Sequence, residues 1–248
     1  MNVERYLMDK IRKEKVHLTL IDPAKQEPLK AGEIAEKIED SGSDGIMIGG
    51  STNITNKIMD ETILKIKERS SLPVMIFPSG ISSISRHADA IFFMSMLNSS
   101  SREFLIDHQV MASRAIKIMN IEPISMAYLV VEPGMTVGKV GKAILIKRDD
   151  MDSAVSYALA AQYFGFHFVY LEAGSGAPEP VPESMVKAVK NEIGIPLIVG
   201  GGIRDPEKAM KLAEAGADVI VTGTLVERSD NYDEIIRKIV NSIKNVKY

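Results

Sequence analysis

An acidic residue that directly follows an apolar run is the first candidate for chemistry in this sequence. Glu172 comes after the run at residues 168–171, and the small residues of segment 173–176 follow it. A carboxylate beside a phosphate-binding loop can orient a substrate hydroxyl or accept its proton. Alternatively, Glu172 is a buried partner for a basic residue of the core. Tyr170 has two readings as well, a hydrogen bond to a phosphate oxygen or a core aromatic.

Glycines end two further apolar runs near the C-terminus. The run at residues 196–199 is followed by Gly200, Gly201 and Gly202, and the run at 218–221 by Thr222, Gly223 and Thr224. Without a Cβ atom, a glycine lets an anion approach backbone N–H groups. Glycines also serve as plain turn residues in any α/β protein. Their pairing in successive strand–helix units favours a phosphate site.

Two oxygen-bearing residues follow the first two apolar runs. Asp22 ends the run at residues 16–21, and Ser51 closes the segment after residues 45–48. Together they could bind Mg²⁺, which takes one or two protein oxygens and completes its shell with water and substrate phosphates. Each also fits an ordinary turn or helix cap.

The histidines are poorly placed for catalysis. Three lie in connections or just before an apolar run, and His17 is near the start of one. The run at 168–171 does not end in a lysine, where a Schiff-base aldolase of this fold would often carry one. These positions argue against a histidine base and a lysine Schiff base.

The elements that would position these residues alternate along the chain. Eight apolar runs predict strands at residues 16–21, 45–48, 73–77, 90–97, 124–131, 168–171, 196–199 and 218–221. Helical periodicity predicts helices at 31–38, 54–67, 104–119, 154–164, 182–193 and 232–246, with another behind residues 205–206. Eight strands alternating with helices predict a (β/α)8 TIM barrel of the α/β class. The short link before residue 90 predicts an irregular or missing third helix, and residues 135–150 are ambiguous.

Length and composition point to one domain. The chain has 248 residues, 45% of them apolar and 25% charged, and no linker-like stretch interrupts it. We therefore expect a single TIM-barrel domain over residues 1–248, with residues 1–15 forming a helix that closes the barrel bottom. That charged N-terminal segment resembles neither a signal peptide nor a transmembrane helix. A net charge of −3 argues against a nucleic-acid partner, and the lack of cysteine fits a cytoplasmic protein.

These motifs together resemble the geranylgeranylglyceryl phosphate synthase family. The specific segment is YLEAGSGA at residues 170–177, joined by GGGIR at 200–204 and TGT at 222–224. The likeness covers nearly the whole chain, including IDP at 21–23, IGGS at 48–51 and FPSG at 77–80. Leu20 stands where bacterial relatives have a lysine, so the chain is similar to the archaeal branch.

The resemblance implies substrates, a cofactor and residue roles. The substrates would be sn-glycerol 1-phosphate and geranylgeranyl diphosphate, joined with Mg²⁺ in the first ether bond of archaeal membrane lipids. Asp22 and Ser51 would hold Mg²⁺, and Glu172 would act on the attacking hydroxyl. The residues expected to bind glycerol 1-phosphate are Tyr170, Leu171, Glu172, Ala173, Gly174, Ser175, Gly176, Gly201, Gly202, Gly223 and Thr224.

Two other functions fit the same phosphate-binding barrel. One is a phosphosugar isomerase or lyase, which would need a second acid, base or lysine at the strand ends. The other is a non-catalytic barrel that binds a phosphorylated metabolite. We also expect a homo-oligomer, because the amphipathic helices offer outward apolar positions, although single exposed apolar residues are common. The connection around residues 81–90 and the fourth strand are the expected location of a groove for the prenyl chain.

Overall fold

A closed barrel of eight parallel strands forms the centre of the protein. The computed structural model describes residues 2–50, 54–228 and 231–246. Every strand pairs with its neighbours in chain order, and β8 closes on β1. The strands are β1 Val16–Ile21, β2 Gly45–Ile48, β3 Val74–Ile76, β4 Ala90–Met96, β5 Glu122–Val130, β6 Phe168–Glu172, β7 Leu197–Gly200 and β8 Val219–Thr222. The predicted (β/α)8 fold is confirmed.

Two apolar layers explain why the strands read as continuous apolar runs. Alternate side chains such as Leu18, Phe92 and Tyr128 fill the barrel interior. Their neighbours, among them Ile21 and Leu171, pack outward against the helices. Strands of a parallel barrel are covered on both faces, so polar positions do not alternate along them.

Ten α-helices lie within the described residues, most of them in the outer ring. They are α1 Val3–Ile11, α2 Pro28–Asp40, α3 Asn56–Lys67, α4 His108–Met119, α5 Met135–Val140, α6 Met151–Tyr163, α7 Glu183–Glu192, α8 Pro206–Glu214, α9 Leu225–Arg228 and α10 Tyr232–Lys244. Helix α8 shows how a local signal sets a boundary: Asp205 caps it by accepting from the Lys208 N–H at 2.8 Å, and Pro206 opens its first turn. In the part of the chain described, no helix is both long and apolar enough to span a membrane.

The outer ring has a gap between β3 and β4. Residues 77–89 are all described, and their only helical element is the 3₁₀ turn Ile81–Ser83. The prediction of a missing third helix is therefore confirmed. As a result, the outer surface of β4 is left to α4 and to the loop itself.

One segment differs from the sequence prediction, and the structure resolves the ambiguity of another. The helix predicted at 104–119 begins as a π-helical turn, Glu103–Asp107, and becomes α-helical only at His108. The ambiguous segment contains the short helix α5, and the apolar residues after it form single bridges rather than a strand. The Asn98 side-chain amide holds this stretch by donating to the carbonyls of Ile144 and Val130, both at 2.9 Å.

The N-terminal helix α1 packs at the end of the barrel where the strands begin. Val3 and Leu7 are buried in the interior cluster. The carboxylate of Glu122, the first residue of β5, accepts from the Val3 and Glu4 N–H groups at 2.6 and 2.9 Å. Lys10 donates to Asp44, just before β2, at 2.6 Å. Helix α1 is thus fixed on the side opposite the strand ends that carry the candidate site.

Candidate functional site

A cavity of about 500 Å³ opens at the C-terminal ends of the strands. Five of the residues singled out from the sequence line it: Asp22, Glu172, Ser175, Gly176 and Thr224. This is the end of a (β/α)8 barrel at which active sites lie.

Glu172 is the central acid of this cavity. Its side chain ends β6 and is only 7% exposed. One carboxylate oxygen accepts from the Gly174 N–H at 2.6 Å, and the other accepts from the Tyr128 hydroxyl at 3.1 Å. Among the described contacts no arginine or lysine pairs with it, so the alternative of a core ion pair is not supported.

Burial raises the pKa of the Glu172 carboxyl above its ordinary value. Hydrogen bonds from Gly174, Tyr128 and Tyr170 offset part of that rise because they favour the charged form. Burial, followed by the nearby Glu172 charge, raises the pKa of both tyrosine hydroxyls well above 10, so they remain protonated donors. A carboxylate with a raised pKa is a stronger proton acceptor than an exposed glutamate.

Tyr128 is a site residue that sequence reasoning missed. It lies opposite Tyr170 in the β5–β6 register, and the two rings meet edge to face with centroids 5.2 Å apart. Phe77 completes the group, 5.5 Å from the Tyr128 ring. The signal available in the sequence was the inward alternation of β5, which places Met126, Tyr128 and Val130 on one face.

The glycines after β7 give the acid its space. A Cβ atom on Gly200 would overlap the Tyr170 hydroxyl, and one on Gly201 would overlap the Glu172 carboxylate. Gly201 also has φ +82°, a conformation that favours glycine. These glycines therefore make room for the acid and its tyrosine.

The remaining predicted phosphate-site residues differ in what they can offer a ligand. Ser175 and Thr224 both line the cavity, and their hydroxyl oxygens lie 3.4 Å apart in a hydrogen bond that joins the loops after β6 and β8. Leu171 and Ala173 point their side chains into the outer apolar layer, so they can offer a ligand only backbone atoms. Gly223 packs against Leu20, whose side chain lines the cavity.

Asp22 occupies a position that suits a cation. One oxygen accepts from the Ala24 N–H at 3.0 Å, and the other lies 3.5 Å from the Lys25 ammonium. A side chain at Gly50 would overlap the carboxylate, so a glycine at this position makes room for Asp22. The other predicted metal ligand, Ser51, lies outside the described residues.

The cavity continues from these polar groups into an apolar groove. The groove runs through the gap in the helical ring, between β4 and α4, and its walls include Ile84, Ile91, Phe93, Phe104, Ala112 and Ile116. Gln109 also lines it and donates to the Met94 carbonyl, while its amide oxygen has no hydrogen-bond partner among the described residues. A long apolar ligand fits such a wall.

Comparison with known proteins identifies the family. The PcrB family matches residues 9–243, nearly the whole chain. The chain belongs to the PcrB family. Several relatives of this chain are named geranylgeranylglyceryl phosphate synthase. One of them, from Thermoplasma volcanium, is 55% identical, and the match covers 99% of this chain and 98% of the relative's chain. Another, from Pyrococcus horikoshii, is 51% identical over 98% of this chain and 95% of its own. The resemblance drawn from the motifs is confirmed.

Solved structures agree with the family. A crystal structure of (S)-3-O-geranylgeranylglyceryl phosphate synthase from Thermoplasma acidophilum, in complex with its substrate sn-glycerol-1-phosphate, superposes with a TM-score of 0.97. That chain is 57% identical, with 99% of this PcrB protein and all of the other covered. A thiamine phosphate pyrophosphorylase from Pyrococcus furiosus shares the fold alone, at 13% identity over 94% of this chain and 98% of its own and a TM-score of 0.59.

Proposed function

We propose that this PcrB-family protein is a prenyltransferase that joins geranylgeranyl diphosphate to sn-glycerol 1-phosphate. The products are geranylgeranylglyceryl phosphate, with the first ether bond of archaeal membrane lipids, and diphosphate. The observation that supports this function best is the continuity of one cavity from Glu172, Ser175, Gly176 and Thr224 into an apolar groove. The closely similar relatives that carry the synthase name support it too.

Glycerol 1-phosphate binds where the loops after β6, β7 and β8 meet. Its phosphate lies against the backbone of Gly174, Gly176, Gly201, Gly202 and Gly223, and the hydroxyls of Ser175 and Thr224 donate to it. Tyr170, Leu171 and Ala173 hold that surface in place. Backbone N–H groups in glycine-rich turns are effective anion ligands, which supports this placement.

The diphosphate binds at the mouth beside Asp22. We assign Mg²⁺ to Asp22 and Ser51, and the Asp22 carboxylate that lines the cavity supports a cation there. When bound, Mg²⁺ supplies Lewis-acid neutralisation of the charge that develops on the departing diphosphate. The prenyl chain lies in the groove between β4 and α4.

Glu172 acts on the alcohol. The primary hydroxyl of glycerol 1-phosphate attacks C1 of the prenyl diphosphate, so a C–O ether bond forms as the C–O bond to diphosphate breaks. The hydroxyl proton passes to the Glu172 carboxylate. Tyr128 and the Gly174 N–H hold that carboxylate in one orientation, which lowers the entropic cost of the step.

One experiment separates this function from its rivals. The protein is mixed with geranylgeranyl diphosphate, sn-glycerol 1-phosphate and Mg²⁺, and pyrophosphate release is followed with each component omitted in turn. A prenyltransferase releases pyrophosphate only in the complete mixture. No release would refute the proposal and favour a non-catalytic binding barrel, and turnover of phosphosugars without prenyl diphosphate would favour the isomerase or lyase.

We further propose that residues 1–248 act as a single domain, with α1 closing the barrel bottom. We also propose that the protein works in the cytoplasm and that it forms a homo-oligomer. The apolar contacts of Val3 and Leu7 with the barrel interior support the first point. Exposed apolar side chains on α4, among them Val110 and Met111, support the association of subunits. Size-exclusion chromatography with light scattering tests the oligomeric state, and the mass of a monomer would contradict the homo-oligomer.

A further inference from the structure

A lysine bridges two acids at the mouth of the cavity. Lys25, in the loop after β1, places its ammonium 2.9 and 3.0 Å from the two carboxylate oxygens of Glu227 on α9. The same ammonium is 3.5 Å from Asp22. All three side chains line the cavity. The acids are only 12–14% exposed and the lysine is 50% exposed, so the cation is the partner that a ligand from solvent can reach.

The charges at this point call for a further cation. Two nearly buried carboxylates repel each other, and one ammonium neutralises only half of their charge. The Lys25 ammonium supplies that single positive charge.

The bridge is not needed to hold the fold together. Strands β1 and β8 already pair along Val16 to Thr19, and the Gln26 side chain contacts the Val226 carbonyl at 3.5 Å across the same loops. Partly exposed ion pairs contribute little to stability. A lysine ammonium on its long stem is, by contrast, a common ligand of phosphate groups.

We propose that Lys25 binds the departing diphosphate, and that Glu227 is a positioning residue that draws the ammonium toward itself, so that Asp22 keeps only the longer of the two contacts. This inference rests on the proposed function. Its geometric basis is the closer approach of the ammonium to Glu227 than to Asp22. Glu227 thereby limits the second Asp22 oxygen to a 3.5 Å contact with the ammonium, which a metal ion can displace, while the lysine remains within reach of a diphosphate at the mouth.

The first test measures inorganic pyrophosphate binding to the full chain by calorimetry with Mg²⁺ present. Lys25→Met should weaken pyrophosphate binding at least tenfold, whereas binding of sn-glycerol 1-phosphate should change less than twofold. Lys30→Met is the matched control, because Lys30 is 54% exposed and paired with Glu33 on α2 but does not line the cavity. Equal pyrophosphate affinity in the wild type and Lys25→Met would overturn the role of the lysine.

The second test asks whether Glu227 affects metal binding by positioning Lys25 or directly through its own negative charge. Manganese binding, followed by electron paramagnetic resonance without substrates, should weaken severalfold in Glu227→Gln, because the freed ammonium then pairs with Asp22. In a Lys25→Met background the same change at Glu227 should have little further effect. An equal loss in both backgrounds would overturn positioning through the lysine.

These outcomes are distinguishable from failure of the proposed function. A wild-type protein that makes the ether but binds pyrophosphate independently of Lys25 would refute this inference alone. A wild-type protein that neither binds pyrophosphate nor releases it from the complete mixture would refute both.

Discussion

Replacing Glu172 with glutamine is the sharpest perturbation of the site. The two side chains have the same shape, and the glutamine oxygen can still accept from the Gly174 N–H. The amide nitrogen then faces the Tyr128 hydroxyl, which can rotate to accept a hydrogen bond. Packing against Gly201 is preserved, so the variant should fold and bind glycerol phosphate nearly as well as the wild type.

The expected loss is confined to turnover. A positioned proton acceptor contributes about 10²–10⁴-fold to rate. At 1.36 kcal/mol for each factor of ten, the activation barrier should rise by about 3–5 kcal/mol. Since the pKa of Glu172 is raised by burial, the acidic limb of the wild-type pH profile should lie above the ordinary glutamate range. In the glutamine variant that limb should be absent.

The assay is pyrophosphate release at saturating substrates from pH 4 to 9, together with calorimetric binding of sn-glycerol 1-phosphate. Glu179→Gln is the matched control, because Glu179 is an exposed carboxylate in the loop after β6 that pairs with Lys208. A Glu172→Gln enzyme with kcat within twofold of the wild type would refute its role as proton acceptor. A large loss of glycerol phosphate affinity would show that the acid acts in binding instead.

Four further changes test other parts of the structure. Tyr128→Phe removes a hydrogen bond that lowers the Glu172 pKa, so the acidic limb of kcat should move to higher pH, and an unmoved limb would contradict that contact. Asp22→Asn should raise the Mg²⁺ concentration for half-maximal activity about tenfold or more, ~1.4 kcal/mol, and equal activity in chelator would remove the metal assignment. Gly201→Ala should lower the free energy of unfolding by ~1–3 kcal/mol and abolish most activity. Gly165→Ala is the control, because Gly165 has a similar φ of +83° but open space around it, and this variant should keep its activity. Thermal unfolding and turnover compare the two, and an active Gly201→Ala enzyme would contradict the role of Gly201 in making room for Glu172. Burial lowers the pKa of His17 to about 4, so the unfolded chain takes up a proton at a higher pH than the folded chain does. The free energy of unfolding should therefore fall by ~3 kcal/mol as the pH drops from about 6.5 to 4. Denaturant titrations across this pH range should show the decrease in the wild type but not in His17→Gln.

Much of the fold could be predicted from the sequence because its signals are local. Each apolar run of the barrel is bounded by charges, glycine or proline, and the short link before β4 leaves no room for a full helix. The π turn at Glu103–Asp107 could not be foreseen. It replaces the α-helical pattern where Phe104 and Gln109 line the groove, which depends on packing rather than on propensity.

The site was predicted less completely for the same reason. Glu172, Ser175 and Thr224 follow apolar runs, so the sequence places them at one end of the barrel. The contact of Tyr128 with Glu172 depends on the β5–β6 register, which the sequence pattern does not specify. The bridge from Lys25 to Glu227 joins residues 202 positions apart and is visible only when β8 closes on β1.

The gap beside β4 means that a bound hydrocarbon can take the place of a missing structural element. The walls of Ile84, Ile91 and Phe93 that a third helix would otherwise cover are the walls of the groove. A prenyl tail lying there would shield them from water and so complete the outer layer of the barrel itself. Ligand binding would then also complete the packing of the outer layer, and the melting temperature of the protein would rise with occupancy of the groove.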